Sequence, residues 1–186
     1  TLGFSESLQT SLDNLCDWSL KWQLPINVDK SFFVTISRNN ICNCVHSYRI
    51  LCSLLTRRFS VDDLGIAYDC NLCFDNYVNS IASSAKAKVG LLFLSFKTRD
   101  PALLKRAYVT YIRPKLEYAS NLWNPFHKTT IAVLENVQRY FTRRIPSLSI
   151  FSYEEKLAML NLDTLEKRRL KSDLVLYYKI LHGLSS

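Results

Sequence analysis

The sequence from Tyr108 to Pro125 is Tyr-Val-Thr-Tyr-Ile-Arg-Pro-Lys-Leu-Glu-Tyr-Ala-Ser-Asn-Leu-Trp-Asn-Pro, and it decides the fold of the second half of the chain. Apolar and aromatic side chains recur in it every three or four residues, on one side of a helix. They are Tyr108, Ile112, Leu116, Ala119 and Trp123. Pro114 removes a backbone hydrogen bond within this period, so we expect a kink near Arg113. The stretch predicts one bent helix around an aromatic core.

The opposite side of this helix is charged. Arg113 and Glu117 are four residues apart, the spacing of an ion pair on a helix surface. Lys115 is then left for solvent or for a polyanion. The pattern predicts a packed scaffold with a basic face.

Helical periods also flank this stretch. One long helix is expected from Asp75 onward, and Asp100-Pro101 supplies an N-cap and a first-turn proline for the bent helix. A further helix is expected from about Thr130, and capping boxes are predicted at Ser152–Glu155 and Asp163–Glu166. The predicted inward positions of these helices are Tyr77 or Val78, Ile81, Ala85, Val89, Leu92 and Phe96; Ile131, Leu134, Val137, Phe141 and Ile145; and Leu170, Leu174, Tyr177 and Leu181 in a last helix that stops at Gly183.

The first half of the chain mixes a helix with short strands. A helix with one buried side is expected to end before Pro25, and Phe32–Ile36 and Tyr48–Leu51 have strand composition. Residues 59–69 predict two strands, or one long bent strand, around Gly65. The inward positions of the helix are Leu8, Leu12, Leu15, Trp18 and Trp22. The predicted fold class is α+β, mainly α.

The charge of the chain is concentrated in its second half. The net charge is +8, yet residues 1–93 contain as many acidic as basic residues, so the whole excess lies in residues 94–186. A basic half of this kind suggests contact with a polyanion, most readily a nucleic-acid backbone, although a solvated basic surface has the same composition. The chain has no apolar run long enough for a transmembrane helix and no signal peptide, so an intracellular, nuclear or cytoplasmic, location is expected.

Two residue patterns invite a metal site, and neither fits one well. The cysteines of Cys42-x-Cys44 and Cys70-x-x-Cys73, with His46 nearby, lack a matched zinc-knuckle spacing, so free thiols are expected. The adjacent Asp62 and Asp63 resemble the aspartate pair of a polymerase turn, but no third carboxylate converges on them. No metal site is predicted.

Several motifs, in order, resemble the reverse transcriptases of LINE-type, jockey-like non-LTR retrotransposons. They are Leu8-Gln9 with Trp18 and Trp22; Asn27 with Lys30-Ser31; Asp63-Leu64-Gly65-Ile66; Arg113-Pro114 with Leu116-Glu117-Tyr118-Ala119; Leu134–Arg139; and Leu165-Glu166 with Arg168-Arg169. The resemblance implies the end of a polymerase palm in residues 1–73, as a short β remnant, and a helical thumb in residues 74–186. It implies a fragment that holds a template-primer duplex of RNA and DNA.

The resemblance also implies roles for individual residues. Lys30 occupies the position of a palm lysine that assists the leaving pyrophosphate, although the residue alone is an ordinary turn lysine. Leu64 and Gly65 match the hairpin that holds the primer strand. Basic side chains after residue 94 are expected to contact the phosphate backbone of the duplex. They are Arg99, Arg106, Arg113, Lys115, Arg139, Arg143, Arg144, Arg168 and Arg169.

The same resemblance places the catalytic aspartate pair, with the Mg²⁺ of the parent polymerase, before Thr1. The fragment is then expected to be inactive alone and to belong to a longer polyprotein. Two other interpretations stay open at this point. One is a helical module that binds proteins through its aromatic stripes, and the other is a relic of a mobile element without a present function.

Overall fold

A computed structural model describes residues 2–36 and 47–184 of the 186-residue chain. The chain divides into two compact units, Thr1–Cys73 and Phe74–Ser186. The first unit combines one long helix with short strands, and the second is helical. The predicted class, α+β and mainly α, is confirmed. That these units are a palm end and a thumb stays a prediction.

The first unit begins with a long helix followed by strands that pair two by two. Their bounds are α1 (Leu2–Lys21), β1 (Phe32–Phe33), β2 (Arg49–Ile50), β3 (Ser53–Leu54), β4 (Thr56–Arg57), β5 (Ser60–Asp63) and β6 (Ile66–Asp69). β1 pairs with β4 in parallel, and β2 with β3 and β5 with β6 are antiparallel pairs. Cys42, Cys44 and His46, weighed above as zinc ligands, lie outside the described residues.

The hairpin of β5 and β6 turns at Leu64 and Gly65. Both residues have positive φ, at 50° and 79°, as the two-residue turn of a tight hairpin requires. Asp63 is in register with Ile66 across the turn. The two-strand form of the prediction for residues 59–69 is therefore confirmed.

The buried side of α1 was predicted wrongly. The helix exists, but Leu8, Leu15, Trp18 and Trp22 are each 44% or more exposed. The residues that the unit buries instead are Cys16 and Ser19, whose hydroxyl donates to the carbonyl of Leu24 (2.5 Å). The side of α1 that packs against the unit thus carries small side chains, and the large apolar side chains lie on its exposed side.

The second unit consists of helices and one short 3-10 turn, with bounds α2 (Asp75–Ser95), α3 (Pro101–Tyr111), α4 (Arg113–Glu117), α5 (Ser120–Trp123), α6 (Lys128–Arg143), the turn Pro146–Leu148, α7 (Tyr153–Leu160) and α8 (Leu165–Leu181). The residues predicted to face inward on α2 and α6 are buried, except the partly exposed Phe96 and Ile131. α2 packs along α6. These two helices form the frame of the unit.

The single bent helix predicted for residues 108–125 is three helices. A break at Ile112 separates α3 from α4, because Pro114 cannot donate to the preceding turn. A second break follows at Ala119, which has φ of 48° and separates α4 from α5. The predicted inward side holds nonetheless: Tyr108, Ile112, Leu116 and Trp123 are at most 2% exposed.

Aromatic rings fill the core that these helices enclose. The rings of Tyr108 and Phe141 stack with centroids 4.3 Å apart, and Trp123 meets Tyr77 edge-on at 5.7 Å. Each pair joins two elements that are distant in the sequence. Aromatic pairs of this geometry contribute about 1 kcal/mol beyond the burial of their area.

The starts of α7 and α8 differ in their caps. Ser152 and Glu155 form the predicted capping box of α7. The box predicted at Asp163 is wrong, because Thr164 is the N-cap of α8 and accepts from the Lys167 amide (3.2 Å). Asp163 instead accepts from the Lys167 ammonium group at 2.7 Å.

The buried side of α8 was also predicted wrongly. Leu170, Leu174, Tyr177 and Leu181 are each more than half exposed. The body of the unit contacts another stripe of the helix, on which Leu165 and Arg169 are buried and Ser172 donates to Asn121 (3.1 Å). A helix with one polar and one apolar stripe packs here by its polar one, which sequence periodicity does not reveal.

Candidate nucleic-acid interface

A basic cleft of about 290 Å³ opens between α2 and α6. It is lined by Lys86, Asn136, Arg139, Tyr140 and Arg143. α6 buries Leu134, Val137 and Phe141 completely. The side chains that line the cleft therefore come from the other side of α6, one turn apart. Lys86 comes from α2, which packs on α6.

Aromatic rings hold the arginines of this region in place. The guanidinium of Arg139 lies 3.9 Å from the ring centroid of Tyr153. Arg144 donates to the hydroxyl of Tyr140 (2.7 Å) and lies 5.1 Å from the centroid of the same ring. Cation–π contacts fix a guanidinium without neutralising its charge, so both groups keep donors for a phosphate.

Arg99 joins this region through Phe93. The guanidinium carbons of Arg99 and Arg144 lie 5.8 and 5.3 Å from the centroid of the Phe93 ring. Arg99 also donates to the backbone carbonyls of Phe93 (3.2 Å) and Phe96. We define the basic surface as Lys86, Arg99, Arg139, Arg143 and Arg144.

A second cavity, of about 300 Å³, continues the cleft along α6 and shares Asn136 and Arg139 with it. Lys128 lies at this end, together with Glu135 and Glu166. Because the carboxylates offset the cation here, the positive charge is strongest at the end of the groove that holds Arg143. A polyanion is expected to lie at that end.

Three other predicted cations of the second unit, Arg113, Lys115 and Arg168, make contacts within the unit. Arg168 donates through two nitrogens to the carboxylate of Glu117, and Arg113 lies 3.8 Å from the same carboxylate. The expected pair of Arg113 and Glu117 is thus present. Lys115 donates to the hydroxyl of Ser84 at 2.6 Å. These groups link α4 to α2 and α8, so less of their hydrogen-bonding capacity is available to a ligand.

Arg169 is buried, with 1% of its surface exposed. Its Nε donates to Asn124 (3.1 Å), and its two terminal nitrogens have no hydrogen-bond partner among the described residues. Burial lowers the pKa of its guanidinium, against the opposing effect of nearby carboxylates, of which that of Glu135 is the strongest. Arg169 is a structural arginine, so the predicted contact of this side chain with a phosphate does not fit its position.

Arg106 is exposed, but it lies in an apolar groove and not on the basic surface. It lines an apolar groove between α2 and α3 with Phe96, Leu103 and Tyr111.

In the first unit, Leu64 is 82% exposed at the tip of the hairpin, next to Gly65. Lys30 is exposed at the end of a 3-10 turn capped by Asn27.

Asp62 and Asp63 are both exposed on β5. Successive side chains of a strand point to opposite faces, so these two carboxylates do not converge on one ion. The described residues hold no group of three or more His, Cys, Asp or Glu side chains placed to bind a metal. Asp62 and Asp63 therefore do not fit a Mg²⁺ site of the two-metal type.

A buried polar network explains the motif Leu134–Arg139. Glu135 accepts from the Tyr153 hydroxyl and from the Leu165 amide (2.9 Å), one of the unpaired donors at the start of α8. Gln138 accepts from the Tyr108 hydroxyl (3.1 Å) and donates to the carbonyl of Asp163 (3.0 Å). Burial raises the pKa of both tyrosines, and the hydrogen bond to Glu135 raises the pKa of Tyr153 further. Glu135 and Gln138 thus join α3, α6, α7 and α8.

Sequence reasoning missed Lys86, Asn136 and Tyr140. Asn136 and Tyr140 are three or four residues from Arg139 and Arg143, so the helical period could have placed them on the same side of α6. Lys86 had none, because its place beside α6 depends on the packing of α2.

The chain is a mainly helical protein with a basic surface, and it can be compared with known proteins on that basis. No protein-family model and no solved structure matches the chain. An uncharacterized protein of Caenorhabditis elegans is 31% identical over 126 residues, which are 66% of this chain and 64% of that protein.

The RNA-directed DNA polymerase from mobile element jockey of Drosophila funebris is 26% identical over 144 residues, which are 76% of this chain and 16% of that protein. The chain spans less than two thirds of the length of either relative. The second similarity supports a mobile-element origin. Among the described residues, no helix is both long and apolar enough to cross a membrane.

Proposed function

We propose that the chain is part of the RNA-directed DNA polymerase of a non-LTR retrotransposon, and that its basic surface holds the backbone of a template-primer duplex. The similarity to the jockey polymerase motivates the enzyme class. The observation that carries the binding role is the grouping of Lys86, Arg139 and Arg143 around one cleft. Such a cleft suits contacts to successive phosphates without a base-specific code.

The proposal divides the cations by function. Lys86, Arg139 and Arg143 contact phosphates, and Arg99 and Arg144 extend the surface beside Phe93. Arg113, Lys115 and Arg168 support the frame through Glu117 and Ser84, and Arg106 is a peripheral contact. Leu64 and Gly65 contact the primer strand through the tip of their hairpin.

No catalytic step is assigned to this chain. The Mg²⁺ ions and the aspartate pair belong to the remainder of the parent polyprotein in this proposal, because Asp62 and Asp63 do not converge. Lys30 is proposed as an auxiliary group beside the nucleotide, where an ammonium would stabilise the charge of leaving pyrophosphate. The parent enzyme acts inside the cell, in the nucleus or cytoplasm, where its template is.

The test is binding of an RNA–DNA hybrid to the full chain over a range of salt concentrations. The variant Lys86→Gln/Arg143→Gln is compared with the control Lys21→Gln/Lys179→Gln, which removes the same charge from exposed positions of α1 and α8. The cleft variant is expected to weaken binding about 10-fold or more and to lower the salt slope by about 2. Equal losses in the two variants, or no binding at low salt, would refute the proposal.

A second candidate, a helical module that binds protein, is favoured by the exposed apolar side of α8. It predicts no shift of the hybrid even at low salt. The same titration therefore separates the two functions.

A further inference from the structure

The outward side of α8 presents an apolar seam with the spacing of a coiled coil. Leu170, Leu174, Tyr177 and Leu181 follow one another at steps of four, three and four, the d, a, d and a positions of a heptad repeat. Each of these side chains is between 57% and 63% exposed. We call these four residues the seam.

The seam faces away from the body of the second unit. The body contacts the stripe of Leu165, Arg169 and Ser172, which lies on the other side of the helix. It also holds Asp173, beside the seam, through a hydrogen bond from Asn124 (2.6 Å). A helix can pack against the seam without displacing any contact that holds α8 in place. Two copies joined there would have their bodies on opposite sides of the helix pair.

The apolar area matches what a modest dimer buries. Tyr178 and Ile180 flank the seam and are 57% and 59% exposed. At roughly 100 Å² each, the six side chains offer about 600 Å² per chain, the lower limit of a standard interface. A weak, concentration-dependent dimer is expected from this area.

The residues beside the seam are complementary to a second copy of the same helix. In a parallel pair, a g residue meets the e residue five positions later in the partner. Glu166 at g would face the partner's Lys171, and both side chains are exposed. An antiparallel pair would set Lys171 beside Tyr178 and would not form this ion pair. The flanks thus favour the parallel pair.

We propose that the chain forms a parallel homodimer through the seam of α8. The proposal does not depend on the function proposed above, because none of the seam residues belongs to the basic surface. A dimer would place two basic surfaces in one particle.

The test is the molar mass of the full chain in solution, measured by light scattering and sedimentation from micromolar to submillimolar concentration. The expected result is a rise toward twice the chain mass of 21.6 kDa. The variant Leu174→Glu/Leu181→Glu is expected to be monomeric throughout. The matched control is Val175→Glu, which also puts a carboxylate at an exposed apolar position (48% exposed) but off the seam, and it should dimerise like the parent chain.

A mixing experiment tests the orientation. Leu170→Glu and Leu170→Lys chains should each be monomeric and should dimerise when mixed, because equivalent residues meet in a parallel pair. Circular dichroism checks that every variant keeps its helices. A monomeric parent chain, a dimer that survives Leu174→Glu/Leu181→Glu, equal loss in Val175→Glu, or rescue only by mixing Leu170→Glu with Leu181→Lys would each overturn the proposal.

Discussion

Arg168 and Glu117 are 51 residues apart in the sequence and joined by two hydrogen bonds, one of them 3.0 Å long. The bonds fasten the first turn of α8 to α4. This bond with the carboxylate raises the pKa of the Arg168 guanidinium. The pair explains a cation in the first turn of a helix, where the dipole disfavours positive charge.

A double-mutant cycle on this pair should give a coupling free energy of about 1 kcal/mol, since both side chains are partly exposed. The variants are Arg168→Ala, Glu117→Ala and the double variant, and the measurement is urea unfolding. Arg168→Ala should change the affinity for a hybrid less than Arg143→Ala does. A coupling of zero together with a larger loss of binding would mean that Arg168 serves a ligand rather than the fold.

Gln138 lies at the centre of the buried network and is fully buried. Gln138→Leu keeps the volume but leaves the Tyr108 hydroxyl and the Asp163 carbonyl without this partner. We expect a loss of about 2 kcal/mol in the free energy of unfolding. Asn136→Leu, on the exposed side of the same helix, is the control and should stay within about 0.5 kcal/mol of the parent chain. A neutral Gln138→Leu would show that water replaces the lost bonds.

The turn of the hairpin carries a leucine where the backbone favours asparagine or glycine. Leu64 has φ of 50° and is 82% exposed, so its side chain contributes little packing within the unit. Leu64→Asn is expected to stabilise the hairpin by about 0.5 to 1 kcal/mol, measured as slower amide exchange in β5 and β6.

The same substitution is expected to weaken hybrid binding if the tip contacts the primer strand. Gly65→Ala is the companion variant, and it should destabilise the hairpin by about 1 kcal/mol because φ is 79°. Faster exchange in Leu64→Asn than in the parent chain would contradict the backbone argument.

The sequence predicted which helices and strands exist better than it predicted which side of each helix is buried. The period of α2 and α6 identified their core positions, because each of these helices has one apolar stripe. In α1 and α8, the apolar period identified residues that lie on the exposed side of the helix. In α8 the buried stripe contains Arg169, whose place beside Asn124 depends on a contact across 45 residues. A local sequence pattern cannot predict a contact between residues so far apart in the chain.

The candidate site shows the same limit. The excess of cations after residue 94 was visible in the sequence, but their separation into a basic surface and a set of internal bonds was not. Arg143 and Arg168 have similar sequence surroundings, with a second arginine directly following each. Their roles differ because Glu117 of α4 lies beside Arg168, whereas Arg143 lines the cleft.

The capping box of α7 makes stability depend on pH in a defined direction. Glu155 accepts from the Ser152 amide (2.7 Å), and this bond lowers the pKa of the Glu155 carboxyl below its ordinary 4.5. The unfolded chain therefore binds the proton first as pH falls. The contribution of the box is complete above the unfolded pKa and is lost as pH falls through the folded pKa.

Glu155→Gln is expected to lower the stability of the second unit at pH 7 and to flatten its dependence on pH in the acid range, as measured by thermal unfolding from neutral to acid pH. Glu154→Gln, at the neighbouring exposed position outside the box, is the control and should keep the pH dependence of the parent chain. If the two variants flatten the curve equally, the general loss of negative charge explains the effect and the capping box does not.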